Sequence, residues 1–260
     1  MLRLPVDPVA ILGFVLAFVR ASAWLVICPP FNTKSIPAMA KVGIAAGLAL
    51  AAAGHLGAGV GSGGVPASTA GFVGAVATQA VTGAALGFIV LVLLSAVEAA
   101  GNLIGLFGGF ALPPSLDPLS LNASPALGQL YELLAVTLLF AMGGELLLAK
   151  GFVSSFGAIG WTLHSAGPLA EILTHDVATF FTSALEIAAP LLVVLFLAQV
   201  VLGVLSKAAP QMNVFAYAFP FEILLTLVLV VLGVAVLPGY VSQILQRGLS
   251  DSNAWLRVSG

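Results

Sequence analysis

Six ionisable residues interrupt long apolar runs: Arg20, Glu98, Glu132, Glu145, Glu186 and Glu222. Placing such a group in lipid costs about 2.5–3.5 kcal/mol on insertion scales, so each needs a physical reason. One reading is a proton or ion relay through the membrane. The other is structural: the residue sits near the end of a span, or meets a partner where helices face protein. Arg20, Glu186 and Glu222 are the intramembrane charges that matter most, and Arg20 and Glu186 lie deep enough in their runs to require a partner.

Other reactive residue types are sparse. His55, His164 and His175 are scattered, and His175 and Asp176, adjacent on a helix, do not face each other. The single cysteine, Cys28, excludes an intramolecular disulfide and any cysteine-based metal site. The chain contains no H-E-x-x-H pattern, no G-x-S-x-G elbow and no phosphate-binding G-x-x-x-x-G-K-[ST] loop. Catalysis is the weakest class of function here, and no metal or cofactor is expected.

Two breaks in the apolar pattern are more informative. The run Phe107-Gly108-Gly109-Phe110-Ala111-Leu112-Pro113-Pro114, closed by Asp117-Pro118, sets large apolar side chains on a non-helical segment. Such a loop either plugs a pore, since its side chains exclude water and yet can be displaced, or is an ordinary buried connection. The second break is Lys207 through Pro210-Gln211-Met212-Asn213, followed by Pro220 inside the next apolar run, where a proline removes a helix hydrogen bond. Irregular backbone at membrane depth is tolerated only beside protein or a water-filled path. Glycines recur four apart at Gly43/Gly47, Gly83/Gly87 and Gly101/Gly105/Gly109. The first two pairs are what a chain with 29 glycines produces without design. The threefold row predicts close helix packing.

The elements that carry these residues follow from composition. Of 260 residues, 60% are hydrophobic and 7% charged, with mean hydropathy +1.17. A soluble domain carries about 25% charged residues, and eight Lys+Arg with ten Asp+Glu are too few to cover a water-soluble globule of this size. A net charge of −2 excludes a basic nucleic-acid footprint. The expected architecture is all-α: a polytopic membrane protein forming one membrane-embedded domain over residues 1–260. About six long apolar helices are expected over 9–28, 38–56, 70–97, 127–149, 184–206 and 214–238. Residues 99–112 are too short to cross. Residues 166–183 read as an amphipathic helix. The first run is read as a retained helix rather than a cleaved signal, because Asp7 and Arg20 bracket it poorly for cleavage. With six crossings, Arg3, Lys150, Arg247 and Arg257 fall on one side and Lys34, Lys41 and Lys207 on the other, which leaves the orientation undecided.

Four groups of residues, in register, resemble the flagellar biosynthetic protein FliR family and its injectisome counterpart, the T subunit of the virulence export apparatus. They are Pro29-Pro30-Phe31 with Ile36-Pro37 and Lys41-Val42; Ala85-Leu86-Gly87-Phe88 with Ala100-Gly101, Ile104-Gly105 and Asp117-Pro118; Gly143-Gly144 with Ser154-Ser155-Phe156; and Ala188-Ala189-Pro190 through Gln199 and Gly203 to Lys207-Ala208-Ala209-Pro210-Gln211-Met212-Asn213-Val214-Phe215 and Phe219-Pro220. Glu98, Asn102, Glu145 and Pro113-Pro114 depart from the family pattern. The resemblance implies a core subunit of a type III protein export gate in the bacterial cytoplasmic membrane, at the flagellar basal body. It implies partnership with P-type and Q-type gate subunits, A-type and B-type export-apparatus subunits, membrane lipid and unfolded flagellar proteins in transit, with no nucleic acid. Residues of the plug segment, Phe107, Phe110, Leu112, Pro113, Asp117 and Pro118, become gate candidates, and Lys207, Pro210, Gln211 and Pro220 an assembly motif. The alternative, from the carboxylates and proline-broken spans alone, is a small secondary transporter.

Overall fold

The computed structural model describes residues 8–33, 36–59, 68–110, 126–158, 167–209 and 214–259. Leu112, Pro113, Asp117, Pro118, Pro210 and Gln211 lie outside them, as do Arg3, Lys34 and His164. The described residues form eight helices and no strand: α1 Pro8–Ile27, α2 Ala38–Gly59, α3 Thr69–Phe107, α4 Ala126–Ala141, α5 Gly144–Ala158, α6 Gly167–Ala208, α7 Val214–Val234 and α8 Leu237–Ser259. The all-α membrane architecture read from the sequence is therefore the architecture found. Four helices are long and apolar enough to cross a membrane, five if α4 and α5 together make one span. Ala38–Ala52 in α2 adds a shorter apolar helix.

The starts and stops have local causes. Ser68 caps α3: its Oγ accepts from the Gly71 amide at 3.1 Å and its carbonyl from the Phe72 amide at 3.0 Å. Pro8 opens α1 and Pro238 sits in the first turn of α8, where a missing N–H costs nothing. Gly143, at φ +69°, divides α4 from α5 inside the stretch expected as one span over 127–149.

Three boundaries differ from the sequence expectation. Residues 99–107 are not a separate short segment but the end of the 39-residue α3. The amphipathic stretch 166–183 and the span 184–206 are one 42-residue helix, α6, in which Pro190 lacks only its own N–H. The last span ends at Val234, and a further helix, α8, follows it. Leu237, Val241, Ile244, Leu245, Gly248 and Ser252 are its buried positions among the described side chains, the spacing of an amphipathic helix.

The chain divides into two compact units: residues 1–92, 143–176 and 245–260 in the first, and 93–142 and 177–244 in the second. The first is packed around Leu16, Trp24, Leu25, Ile89 and Phe152. The second is packed around Leu93, Ile104, Tyr131, Leu139 and Leu195.

Candidate functional site

In the first unit the polar centre is Arg20, fully buried on α1. Its Nε donates to Gln79 Oε1 on α3 at 2.7 Å, and one terminal nitrogen donates to the Ser155 carbonyl at 2.9 Å and to Ser155 Oγ at 3.1 Å on α5. The guanidinium lies 4.2 Å from the Phe156 ring centroid, a cation–π contact. Phe156 stands edge-on to Phe152, which stacks on Trp24. Sequence reasoning required a partner for Arg20 without naming one, and these are the partners. The helices come close enough because of Gly83 and Gly87, the pair set aside above as incidental. A Cβ at Gly83 would collide with the Arg20 carbonyl, and one at Gly87 would stand 3.1 Å from the Trp24 carbonyl oxygen. That expectation is corrected: the pair is a packing device between α3 and α1. Gly43 and Gly47 meet nothing within 4 Å. Just beyond α1, burial pushes the Cys28 thiol up from its ordinary pKa, which keeps it protonated and unreactive.

The second unit holds the end of α3, from which the proposed plug segment departs. The last carbonyls of a helix lack partners within it, and at membrane depth they must find others. Here those of Ile104, Gly105 and Phe107 are met, as is the Gly108 carbonyl just beyond. Gly108 N donates to the Ile104 carbonyl at 2.8 Å and Phe110 N to the Gly105 carbonyl at 3.0 Å. Gly109 supplies the left-handed residue of that terminus, at φ +77°. Two bonds then come from other helices. Gln199 Nε2 on α6 donates to the Phe107 carbonyl at 2.9 Å. Thr226 Oγ1 on α7 is 3.2 Å from the Gly108 carbonyl and 2.7 Å from the Glu222 carbonyl, and its one hydrogen serves these two acceptors. A side chain at Gly108 would collide with Thr226.

The glycine row therefore divides. Gly101 is a packing glycine: a Cβ there would stand 2.7 Å from the Leu127 carbonyl oxygen and 2.8 Å from Tyr131 Cβ, so α4 lies directly on α3. Gly105 is buried. Gly109 is not on the helical face at all, since α3 ends at Phe107, and its backbone angle rather than its size accounts for it. Phe107 is exposed and Phe110 half-buried.

The remaining candidates are dispersed. Glu186, placed deep in its apolar run, is exposed on α6. Its carbonyl is the one left without a helix donor by Pro190, and Tyr240 Oη donates to it from 3.5 Å. Lys207 is exposed in the last turn of α6, where a cation suits the helix dipole. Pro220 is exposed, and α7 runs through it unbroken. Glu222 is half-buried and lines a cleft of about 290 Å3 with Gln199, Leu202, Gly203, Ser206, Ala218 and Phe219. Among the described residues no group of three metal-ligating side chains occurs.

Gln199 and Thr226 were missed as site residues. Their signal was in the sequence: Gln199 is the only side chain with hydrogen-bonding groups between residues 187 and 205, and Thr226 the only one between 223 and 237.

Known proteins resemble the chain over most of its length. A sequence family described as bacterial export proteins, family 1, matches residues 11–248. The flagellar biosynthetic protein FliR of Bacillus subtilis (strain 168) is 27% identical over 234 residues, covering 86% of this chain and 87% of that protein. FliR of Escherichia coli (strain K12) is 30% identical over 207 residues, covering 78% and 77%. The Yop proteins translocation protein T of Yersinia pestis is 29% identical over 150 residues, 55% of this chain and 56% of that one.

Proposed function

The chain belongs to the bacterial export proteins, family 1, and from that membership we propose that it helps form and seal the channel through which unfolded flagellar proteins leave the cytoplasm. It is a multi-pass membrane subunit of the flagellar and type III export gate, and other subunits of that apparatus are its partners. The finer reading is as follows. The membrane is the bacterial cytoplasmic membrane at the flagellar basal body. The partners are the P-type and Q-type gate subunits and the A-type and B-type subunits, with lipid outside. The chain acts as one gate domain and is not an enzyme.

One observation carries this reading. Only 22% of the most apolar stretch of α6 and 11% of that of α7 is buried within the chain. At 1.5 Å per residue, α3 and α6 extend about 58 and 63 Å, twice the roughly 30 Å of a hydrocarbon core. α6 overshoots the bilayer while exposing apolar surface, and so needs protein around its excess length, as a subunit of a larger assembly has. A small transporter holds its substrate site among its own helices and has no use for that overshoot.

The seal is assigned to Phe107 and Phe110, on the side where α3 ends against Gln199 and Thr226. Replacing both phenylalanines by alanine in the assembled, reconstituted complex is expected to raise its resting conductance to small ions. Conductance equal to that of the unmodified complex removes the seal assignment.

A further inference from the structure

We propose that Glu222, with the cleft beside it, receives a basic side chain, lysine or arginine, from another subunit of the export apparatus. The proposal rests on the reading of the chain as a subunit. Glu222 sits eight residues into α7, in a stretch counted among the membrane-crossing ones. A carboxylate there is costly unless something compensates it. Among the described residues no cation forms an ion pair with it, and Lys207, the basic residue of α6, is exposed in the last turn of that helix.

The lining of the cleft states what the guest must be. The Ser206 hydroxyl has already given its hydrogen to the Gly203 carbonyl at 2.8 Å, and Gln199 has committed an amide hydrogen to Phe107. The ionised Glu222 carboxylate brings acceptors only. What remains on the polar side is acceptor lone pairs, one amide hydrogen of Gln199 and a negative charge, and the negative charge is matched by a donor with positive charge. The other wall is the exposed ring of Phe219, over which a guanidinium or ammonium gains cation–π attraction. About 290 Å3 admits one long side chain. Charge complementarity therefore favours a basic residue. A lipid tail would leave the carboxylate uncompensated.

The test is a pair of substitutions whose predicted signs oppose those of an uncompensated carboxylate. Removing one partner of a buried ion pair leaves the other charge stranded. Glu222→Leu should therefore weaken association about a hundredfold, read as loss of partner subunits from complex purified through a tag on this chain. The membrane level of the chain itself should be unchanged, since leucine inserts more easily than glutamate. Glu222→Lys should lose the complex too, and changing one Lys or Arg of a co-purifying subunit to Glu should restore it. Full recovery of complex with Glu222→Leu overturns the proposal, as does a Glu222→Lys defect that no such reversal relieves. If the unmodified chain brings down no partner at all, the subunit reading fails instead, so the two failures are distinct.

Discussion

In the first unit a guanidinium inside an apolar helix is enclosed: Gln79, Ser155 and the Phe156 ring surround Arg20, and glycines at 83 and 87 bring the helices close around it. In the second a carboxylate inside an apolar helix stands at the rim of a cleft, with no cation paired to it among the described residues. The same energetic demand, a charge at membrane depth, has been met by the chain itself in one case and left open in the other. Fold stability is expected to live in the first arrangement and assembly in the second.

The largest effect should come from Arg20→Ala. It strands Gln79 and the Ser155 carbonyl and leaves a void beneath Phe156, a loss of about 3 kcal/mol or more. The thermal midpoint of the detergent-purified chain should fall by several degrees or the chain should vanish from the membrane. An unchanged midpoint would erase the contrast between the units. Next is a paired substitution. Gly83→Val drives a side chain into the Arg20 backbone and should cost about 1–3 kcal/mol, while Gly43→Val, in open space, should stay within about 0.5 kcal/mol. Equal effects at the two sites would return Gly83/Gly87 to coincidence.

The smallest effect sharpens the picture of the second unit. Tyr240→Phe removes a long hydrogen bond to the Glu186 carbonyl and should cost about 0.5 kcal/mol. With Pro190→Ala also present, the helix can supply its own donor and the tyrosine hydroxyl becomes redundant. A double-mutant cycle on unfolding should therefore show coupling between the two changes. Strict additivity would separate Tyr240 from the proline.

The helical class and the positions of the apolar runs were legible because hydropathy over 20 residues reports directly on solvent. Boundaries were less so. Nothing in residues 166–183 announces that their polar face continues without a break into the apolar run after 184, and one proline at 190 does not end a helix whose orphaned carbonyl has a tyrosine to meet it. The amphipathic α8 was overlooked because its mean hydropathy is too low for a span search. Phe107 and Phe110 were singled out by residue type, whereas Gln199 and Thr226 bond backbone carbonyls 92 and 118 positions away in sequence, and no local pattern encodes such distance. Gly109 was misassigned because a four-residue period is blind to where the helix stops.

The division of α4 from α5 at the left-handed Gly143 has a consequence for topology. At 16 and 15 residues, neither helix alone reaches across a bilayer, so the two together make one broken span or no crossing at all. The orientation turns on which. With one broken span the basic residues stay split four against three; with none, and α2 counted as a crossing, Lys150, Arg247 and Arg257 join Lys34 and Lys41, leaving Arg3 and Lys207 opposite, five against two. The break at Gly143 is thus where the even split of basic residues is decided.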